Sequence, residues 1–414
     1  MTNRAAAAAP DITVLGAGVV GMATAWAAAR RGLSVELVDR ADGPALGASH
    51  ANGAQLSYAY TDAMAGPGLW RQIPGLLAGS DPAFRLELTG PRAIWRWGLS
   101  LLANAGSARS RRNTLQVLVL ARESQHAMGA LLERHPIDFN HQVAGKLHLY
   151  FSEAALAAGV RMVAIKRPHG VRQEVLDAGT ARAVEPALAQ IEGLRGAVHS
   201  PEEAVGDPWR FATGLLEVLR TGYAVDARFG FDLASVRRSG RHWLLRARSG
   251  EELHARRVVV CTGIDSAALL RPLGIRLPLM AIKGYSLTAP FGPSAPATSI
   301  TDTARKIVFC RLGDRMRVAG MADINDWDPT VEPVRFEQLL ALARESLPHA
   351  ADYSRISHRW AGLRPSTPSS APVIANARDG LTCNVGHGML GWTLAMGSGE
   401  RAVALAMGEK AGAG

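Results

Sequence analysis

The chain has 414 residues, 48% of them hydrophobic and 20% charged, with 43 glycines and a formal net charge of +10. That length exceeds what one hydrophobic core usually fills and predicts two domains. The composition excludes a disordered chain, and no apolar run is long enough to span a bilayer. The arginines are scattered, with one dense cluster at Arg109 to Arg112. No helix-turn-helix, zinc finger or aromatic RNA-binding strand accompanies them, so nucleic acid is not an expected partner. Cys261, Cys310 and Cys383 lie far apart without metal-ligand spacing. No metal is expected, and a reducing cytoplasm is the default location.

Met1 to Pro10 is alanine-rich and reads as a frayed tail, not a signal peptide, because the apolar stretch after it carries a glycine turn. Ile12 to Asp39, ITVLGAGVVGMATAWAAARRGLSVELVD, is a strand, a turn, a helix and a second strand ending in an acid. Gly16, Gly18 and Gly21 stand in the G-x-G-x-x-G spacing. The first permits the tight turn, the second lets backbone N–H groups approach a pyrophosphate, and the third lets helix and sheet pack closely. A diphosphate then sits at the positive end of the helix. Asp39 suits ribose hydroxyls and disfavours a 2′-phosphate, which leaves FAD and NAD open and sets NADP aside.

Next, ADGPALGASHANGAQLSYAY is a loop able to run near a cofactor ring. TGPRAIWRWGLSLLANAG predicts a short helix. Its Trp95 and Trp97 read as core or, interleaved with Arg92 and Arg96, as a membrane-surface patch. Asn113 to Arg134 predicts a long amphipathic helix, Lys146 to Phe151 a strand and Ser152 to Lys166 a helix. Asp207 suits a helix N-cap with Pro208 in the first turn. Leu253 to Cys261 predicts a β-segment leading, at Thr262 and Gly263, into a turn suited to backbone passing the ligand's adenosine or diphosphate. Ile307 to Cys310 and Met316 to Gly320 predict paired strands, and Pro333 to Leu347 a helix. Leu381 to Val385, GHGMLG and the helix from Trp392 form a second strand–glycine–helix unit. Its helix N-terminus suits a partially negative ligand atom.

The first glycine turn with its VDR, then SHANGAQLS, KGYSLT, RVAGMAD, WAGLRPSTP and GHGMLGWTLAMGSG, run in order along nearly the whole chain. In these segments the chain resembles the D-amino-acid dehydrogenases, FAD-dependent relatives of glycine oxidase and D-amino-acid oxidase. The resemblance implies an α/β fold: a Rossmann-like FAD-binding domain over 10–75, 190–275 and 355–414, with an inserted α+β mixed-sheet substrate domain over 76–189 and 276–354. It implies non-covalent FAD, with Gly16, Gly18, Val19, Val20 and Gly21 at the pyrophosphate and Asp39, followed by Arg40, at the ribose. Ser49, Asn52 and Gln55 lie along the flavin. Gly386, Gly388, Met389, Leu390, Gly391, Trp392 and Thr393 face its pyrimidine edge. The family often has a second glycine where this chain has Ala54.

Arg364 matches the arginine that relatives use to bind the substrate carboxylate, which a planar guanidinium grips through two parallel hydrogen bonds. That grip orients the Cα–H bond over flavin N5. Tyr285 is a second substrate contact in this reading, and His50 and His387 rank below it. The activity implied is oxidative deamination of a D-amino acid to a 2-oxo acid and ammonia, with electrons passed to a quinone or another respiratory carrier. Oxidation of a cyclic or N-substituted amino acid (D-hydroxyproline, D-proline or an N-methyl amino acid) is the alternative within the fold. A non-catalytic flavin-binding subunit is the alternative outside it. A peripheral contact on the inner face of the cytoplasmic membrane goes with the tryptophan patch.

Overall fold

The computed structural model describes residues 9–88 and 92–409. Two sheets organise them. The smaller has six strands in the order Val373–Arg378, Leu381–Val385, Val258–Val260, Ile12–Leu15, Val35–Val38 and Val225–Arg228. All neighbours are parallel except the Val373–Arg378 edge. The central strands ITVL, VELV and VVV are mostly Val, Ile and Leu and are buried on both faces, as a parallel sheet covered by helices requires.

Three helices stack beside this sheet. The helix Gly391–Ala406 lies between the first helix, Val19–Ala29, and the long helix Ser107–Arg134. Glycines set the spacing. A side chain at Gly399 would meet the backbone of Ala23 at 2.8 Å, and one at Gly397 would meet Leu120 O and Ser124 N at 2.8 Å. The final MGSG is therefore a helix-packing motif, whatever else its helix does.

The larger sheet runs His358–Ser366, Met280–Pro290, Arg315–Ile324, Ile307–Leu312, Ser299–Asp302, Lys146–Tyr150, Gly196–Ser200 and Glu174–Asp177, with Phe84–Leu86 beside the end of Arg315–Ile324. It is antiparallel except for the pairing of Ser299–Asp302 with Lys146–Tyr150 and that of Phe84–Leu86. The helix Pro333–Ser346 packs on one face, where Tyr285, Leu287, Met316, Val318, Phe336 and Leu339 form a second core.

Asp207 caps its helix as expected, accepting from Trp209 N at 2.9 Å and Arg210 N at 3.1 Å. Three expectations differ. Leu253 to Cys261 is two strands: Glu252–Ala255 joins a small three-stranded sheet, and after Arg256 and Arg257 the run Val258–Val260 enters the six-stranded one. Gly196–Ser200 and His358–Ser366 belong to the large sheet by antiparallel pairing, although boundaries drawn at 190 and 355 give both to the nucleotide domain. Trp97 is buried, its indole donating to Ser366 O at 3.0 Å, whereas Trp95 is 63% exposed. The helix is amphipathic, with only one of its tryptophans outside.

Candidate active site

A cavity of about 1400 Å³ runs from the first glycine turn to the face of the large sheet. At its first end, Gly16 has φ +98°, and a Cβ there would meet Cys261 O at 2.6 Å. The turn is bare partly because the neighbouring strand end occupies the space. A Cβ on Gly21 would lie 1.7 Å from Gly16 O, so this glycine lets the helix start against the turn and does not itself border the cavity. Gly18 is different. A Cβ there would meet only Ser49 Oγ, at 3.3 Å, and would otherwise project into the cavity that Gly18 lines with Val19 and Val20.

Asp39 stands at the end of Val35–Val38, its Oδ2 accepting from Ala17 N at 2.5 Å and its Oδ1 from Ala41 N at 2.8 Å. These bonds fix the carboxylate at the cavity wall and leave lone pairs for hydroxyl donors. Arg40 also borders the cavity and pairs with Asp265 at 3.1 Å on the exposed rim. Thr262 and Gly263 line the opposite wall. Phe231, Asp232 and Arg248, which sequence reasoning missed, complete this end; they come from beside the small sheet and carry no local motif.

Further along, Ser49 Oγ accepts from Val19 N at 3.2 Å and Asn52 Oδ1 from Ala54 N at 2.9 Å. Gln55 borders the cavity, yet its amide is engaged at both ends, donating to Ser299 Oγ at 2.8 Å and accepting from Lys146 Nζ at 2.9 Å. Gly386, His387, Gly388, Met389, Leu390, Gly391 and Trp392 line the wall before the last helix. Thr393 lies behind that wall: its Oγ1 accepts from Ser57 N at 2.9 Å and ties the loop to the helix. His387 is buried, its Nε2 has no hydrogen-bond partner among the described residues, and burial pushes it down to about 3, so the ring is neutral near pH 7. His50 does not border the cavity. It packs against Trp209 and His358, which leaves the substrate role expected for it without geometry.

Arg364 occupies the far end. The strands Met280–Pro290 and His358–Ser366 pair so that Gly284 faces Gly362. A Cβ on Gly284 would lie 2.0 Å from Arg364 Nη2, and one on Gly362 would lie 2.2 Å from the Trp360 ring. The paired glycines thus form a floor on which the guanidinium and the indole lie flat. A bulge in Arg315–Ile324 puts Met321 at φ +65° and turns its carbonyl to accept from Arg364 Nη1 at 3.0 Å. Among the described residues Arg364 makes no other hydrogen bond and no ion pair, and burial pushes it down to about 10. A guanidinium held against a cavity with one of its five donors used invites an anion.

Tyr285 also borders the cavity, but it is fully buried in the second core and its hydroxyl donates to Asp323 Oδ2 at 3.0 Å. It is an anchor of the sheet, not a free donor to substrate. Asp323, Asp326 and Glu332 come close enough to suggest a cation site, but Arg85, Lys283 and Arg335 already pair with them.

FAD fits this wall. The first helix and the Gly391–Ala406 helix both begin at the cavity with no side-chain cap of their own and no acid in the first turn, so two positive helix ends face the same space. Gly18 leaves open the volume a phosphate needs, and the orphaned His387 Nε2 waits for a partner along the same wall.

A dinucleotide cradle opening onto an unpaired guanidinium defines a cofactor-dependent enzyme of the two-sheet α/β class. The family model for FAD dependent oxidoreductases matches residues 11–405, and the chain belongs to that family; its cofactor is FAD. It is 40% identical to D-amino acid dehydrogenase 2 of Ralstonia nicotianae over 94% of both chains. It is 38% identical to D-amino acid dehydrogenase of Paramagnetospirillum magneticum over 94% of this chain and 93% of that one. Among solved structures, glycine oxidase from Geobacillus kaustophilus matches with a TM-score of 0.76 and 19% identity, covering 97% of this chain and 95% of the other. L-proline dehydrogenase from P. horikoshii matches at 0.75 and 15%, over 97% and 94%.

Proposed function

We propose that this protein oxidises a D-amino acid to a 2-oxo acid and ammonia, with Arg364 holding the substrate carboxylate. The relatives named D-amino acid dehydrogenase support the substrate class. The observation in this chain that carries the reading is the unpaired Arg364 on its glycine floor. FAD supplies acceptance of a hydride, and the protein supplies position and electrostatics. Gly16, Gly18, Val19, Val20 and Asp39 hold the adenosine diphosphate, and the loop from Ser49 to Gln55 and the turn from Gly386 to Trp392 hold the flavin. Arg364 fixes one end of the substrate, so the Cα–H bond is presented in one orientation. The substrate amine reacts as the neutral base, so no side chain is required to take its proton, and turnover rises with pH as that amine deprotonates. Electrons leave to a quinone or another respiratory carrier. Exposed Trp95 and Leu99, beside exposed Arg92 and Arg96 on the same helix start, support a peripheral membrane contact. Among the described residues no helix is long and apolar enough to cross a membrane.

Anaerobic flavin bleaching with D- and L-amino acids, proline and sarcosine tests the substrate. Bleaching by D-amino acids is expected, and bleaching by L-amino acids or sarcosine alone would reject the reading. Arg364→Met is expected to lower kcat/KM by roughly 2–5 kcal/mol, the cost of breaking a buried charged pair with the substrate. It should leave thermal stability equal or higher, because a half-buried cation with no ion pair among the described residues is removed. Wild-type kcat/KM in this variant would remove the arginine from the site.

A further inference from the structure

Among the described residues three lysines are almost fully buried: Lys146, Lys166 and Lys283, each 2% exposed. Two have carboxylate partners, Lys166 with Asp62 at 2.8 Å and Lys283 with Asp326 at 3.1 Å. Lys146 has no ion pair among the described residues. Its Nζ donates to Gln55 Oε1 at 2.9 Å and Ser57 Oγ at 2.7 Å, and sits 4.8 Å from the centre of the Tyr60 ring. All four residues border the cavity. Glu203, three residues beyond the partner strand Gly196–Ser200, spends one oxygen on Ala59 N at 2.5 Å, and among the described residues its Oε2 has no hydrogen-bond partner. Burial pushes the Lys146 ammonium below the usual lysine value, and Glu203 is the strongest influence opposing that fall.

The position is specific. Gln55 ends the loop assigned to the flavin, and two residues on, Ser57 N is bonded to Thr393 in the first turn of the last helix. The positive end of that helix and the Lys146 ammonium are therefore linked through Ser57 on the cavity wall. Lysine opens the strand Lys146–Tyr150 at a position buried between Ser299 and Ser200, where an apolar residue would pack without any desolvation cost. A buried cation without a direct ion pair is expensive, and an anion arriving beside it relieves that cost.

We infer that Lys146 is the fixed charge that sets the redox poise of the bound flavin, favouring its reduced form. The inference rests on the FAD-dependent reading above. Hydride transfer adds one net negative charge to the flavin, and a cation held in a low-dielectric wall favours the state carrying that charge. Lys146 acts through its field, while Gln55 and Ser57 hold it in place.

The test is the flavin midpoint potential of the purified holoenzyme, measured by equilibration with a reference dye at pH 7, for wild type, Lys146→Met, Lys146→Gln and Lys146→Arg. In the neutral variants the reduction equilibrium should weaken at least tenfold, about 30 mV for a two-electron couple. Lys146→Arg, which keeps the charge, should stay near wild type. Lys146→Gln keeps a donor for Ser57 and carries the test if the Met variant fails to fold. Neutral variants that hold FAD at the wild-type potential overturn this inference and leave the proposed function standing. Wild-type protein that retains no FAD overturns both.

Discussion

The two ends of the cavity are built by opposite means. At the dinucleotide end, one continuous stretch, Ile12 to Asp39, supplies turn, helix start and acid, and Cys261, Thr262 and Ser49 press on it from elsewhere. At the arginine end no short stretch suffices. Gly284 meets Gly362 across a register, and Met321 is aimed by a bulge in a third strand. The first end is a motif, and the second exists only once the sheet has formed. The first should therefore fail locally, by occlusion, and the second should fail by displacement.

Gly18→Val tests occlusion and carries the largest expected effect, complete loss of retained FAD. Its side chain projects into the cavity and away from backbone, so the variant should purify folded and colourless. Gly21→Val is the contrast: its Cβ collides with Gly16 O, and the protein itself should be lost. Absorbance near 450 nm per folded protein, with circular dichroism, separates the two. A yellow Gly18→Val protein would remove the phosphate cradle.

This contrast also governs what could be read from the chain. The glycine turn, Asp39 and the last glycine–helix unit were legible because spacing within a few residues determines them. Arg364 was legible only through resemblance, since nothing near GLRP shows that its guanidinium lies on Gly284, 80 positions earlier. Lys146 offered no signal, because it shares the polar register of its strand with His148 and Tyr150 while Leu147 and Leu149 fill the core; its burial and its lack of an ion pair are facts of tertiary packing. Tyr285 misled for the same reason. Its hydroxyl goes to Asp323, and the register of Met280–Pro290 against Arg315–Ile324 makes that bond.

His387 lies between the two ends and ties the cavity to pH. Burial holds its ring neutral, down to about 3, whereas an unfolded histidine takes up a proton below about 6.5. From pH 6.5 down to about 3 the unfolded state thus binds more protons, and stability falls as pH falls, by up to several kcal/mol. Buried His148 adds to this trend. His387→Gln should remove one proton's share of the slope in unfolding free energy against pH. Identical slopes in the two proteins would show that the ring is not held neutral.

Gly284→Ala probes displacement at the arginine end. Its methyl would overlap Arg364 at 2.0–2.7 Å, and the flexible guanidinium gives way more easily than the strand does. The protein should fold and keep its FAD while kcat/KM falls about 10–100-fold, the scale for moving a positioning group by about 1 Å. Unchanged kinetics would mean that the arginine does its work away from the glycine floor.

The smallest effect is expected at Ala54, where the family often has glycine. Its φ is +59°, a conformation that costs an alanine about 1–2 kcal/mol. Its methyl is fully buried against Val205, Cys310 and Leu312, a contact stabilising by about 0.8 kcal/mol. Glycine also loses more chain entropy on folding, by about 0.5–1 kcal/mol. These terms nearly cancel, so Ala54→Gly should shift the unfolding free energy by less than about 1 kcal/mol and leave FAD retention unchanged. A larger loss would mean that the methyl holds the loop against the large sheet, in which case Ala54 belongs to the tertiary construction of the second end and not to the local motif of the first. A larger gain would mean that this chain keeps uncompensated strain beside Gln55, the residue that holds Lys146.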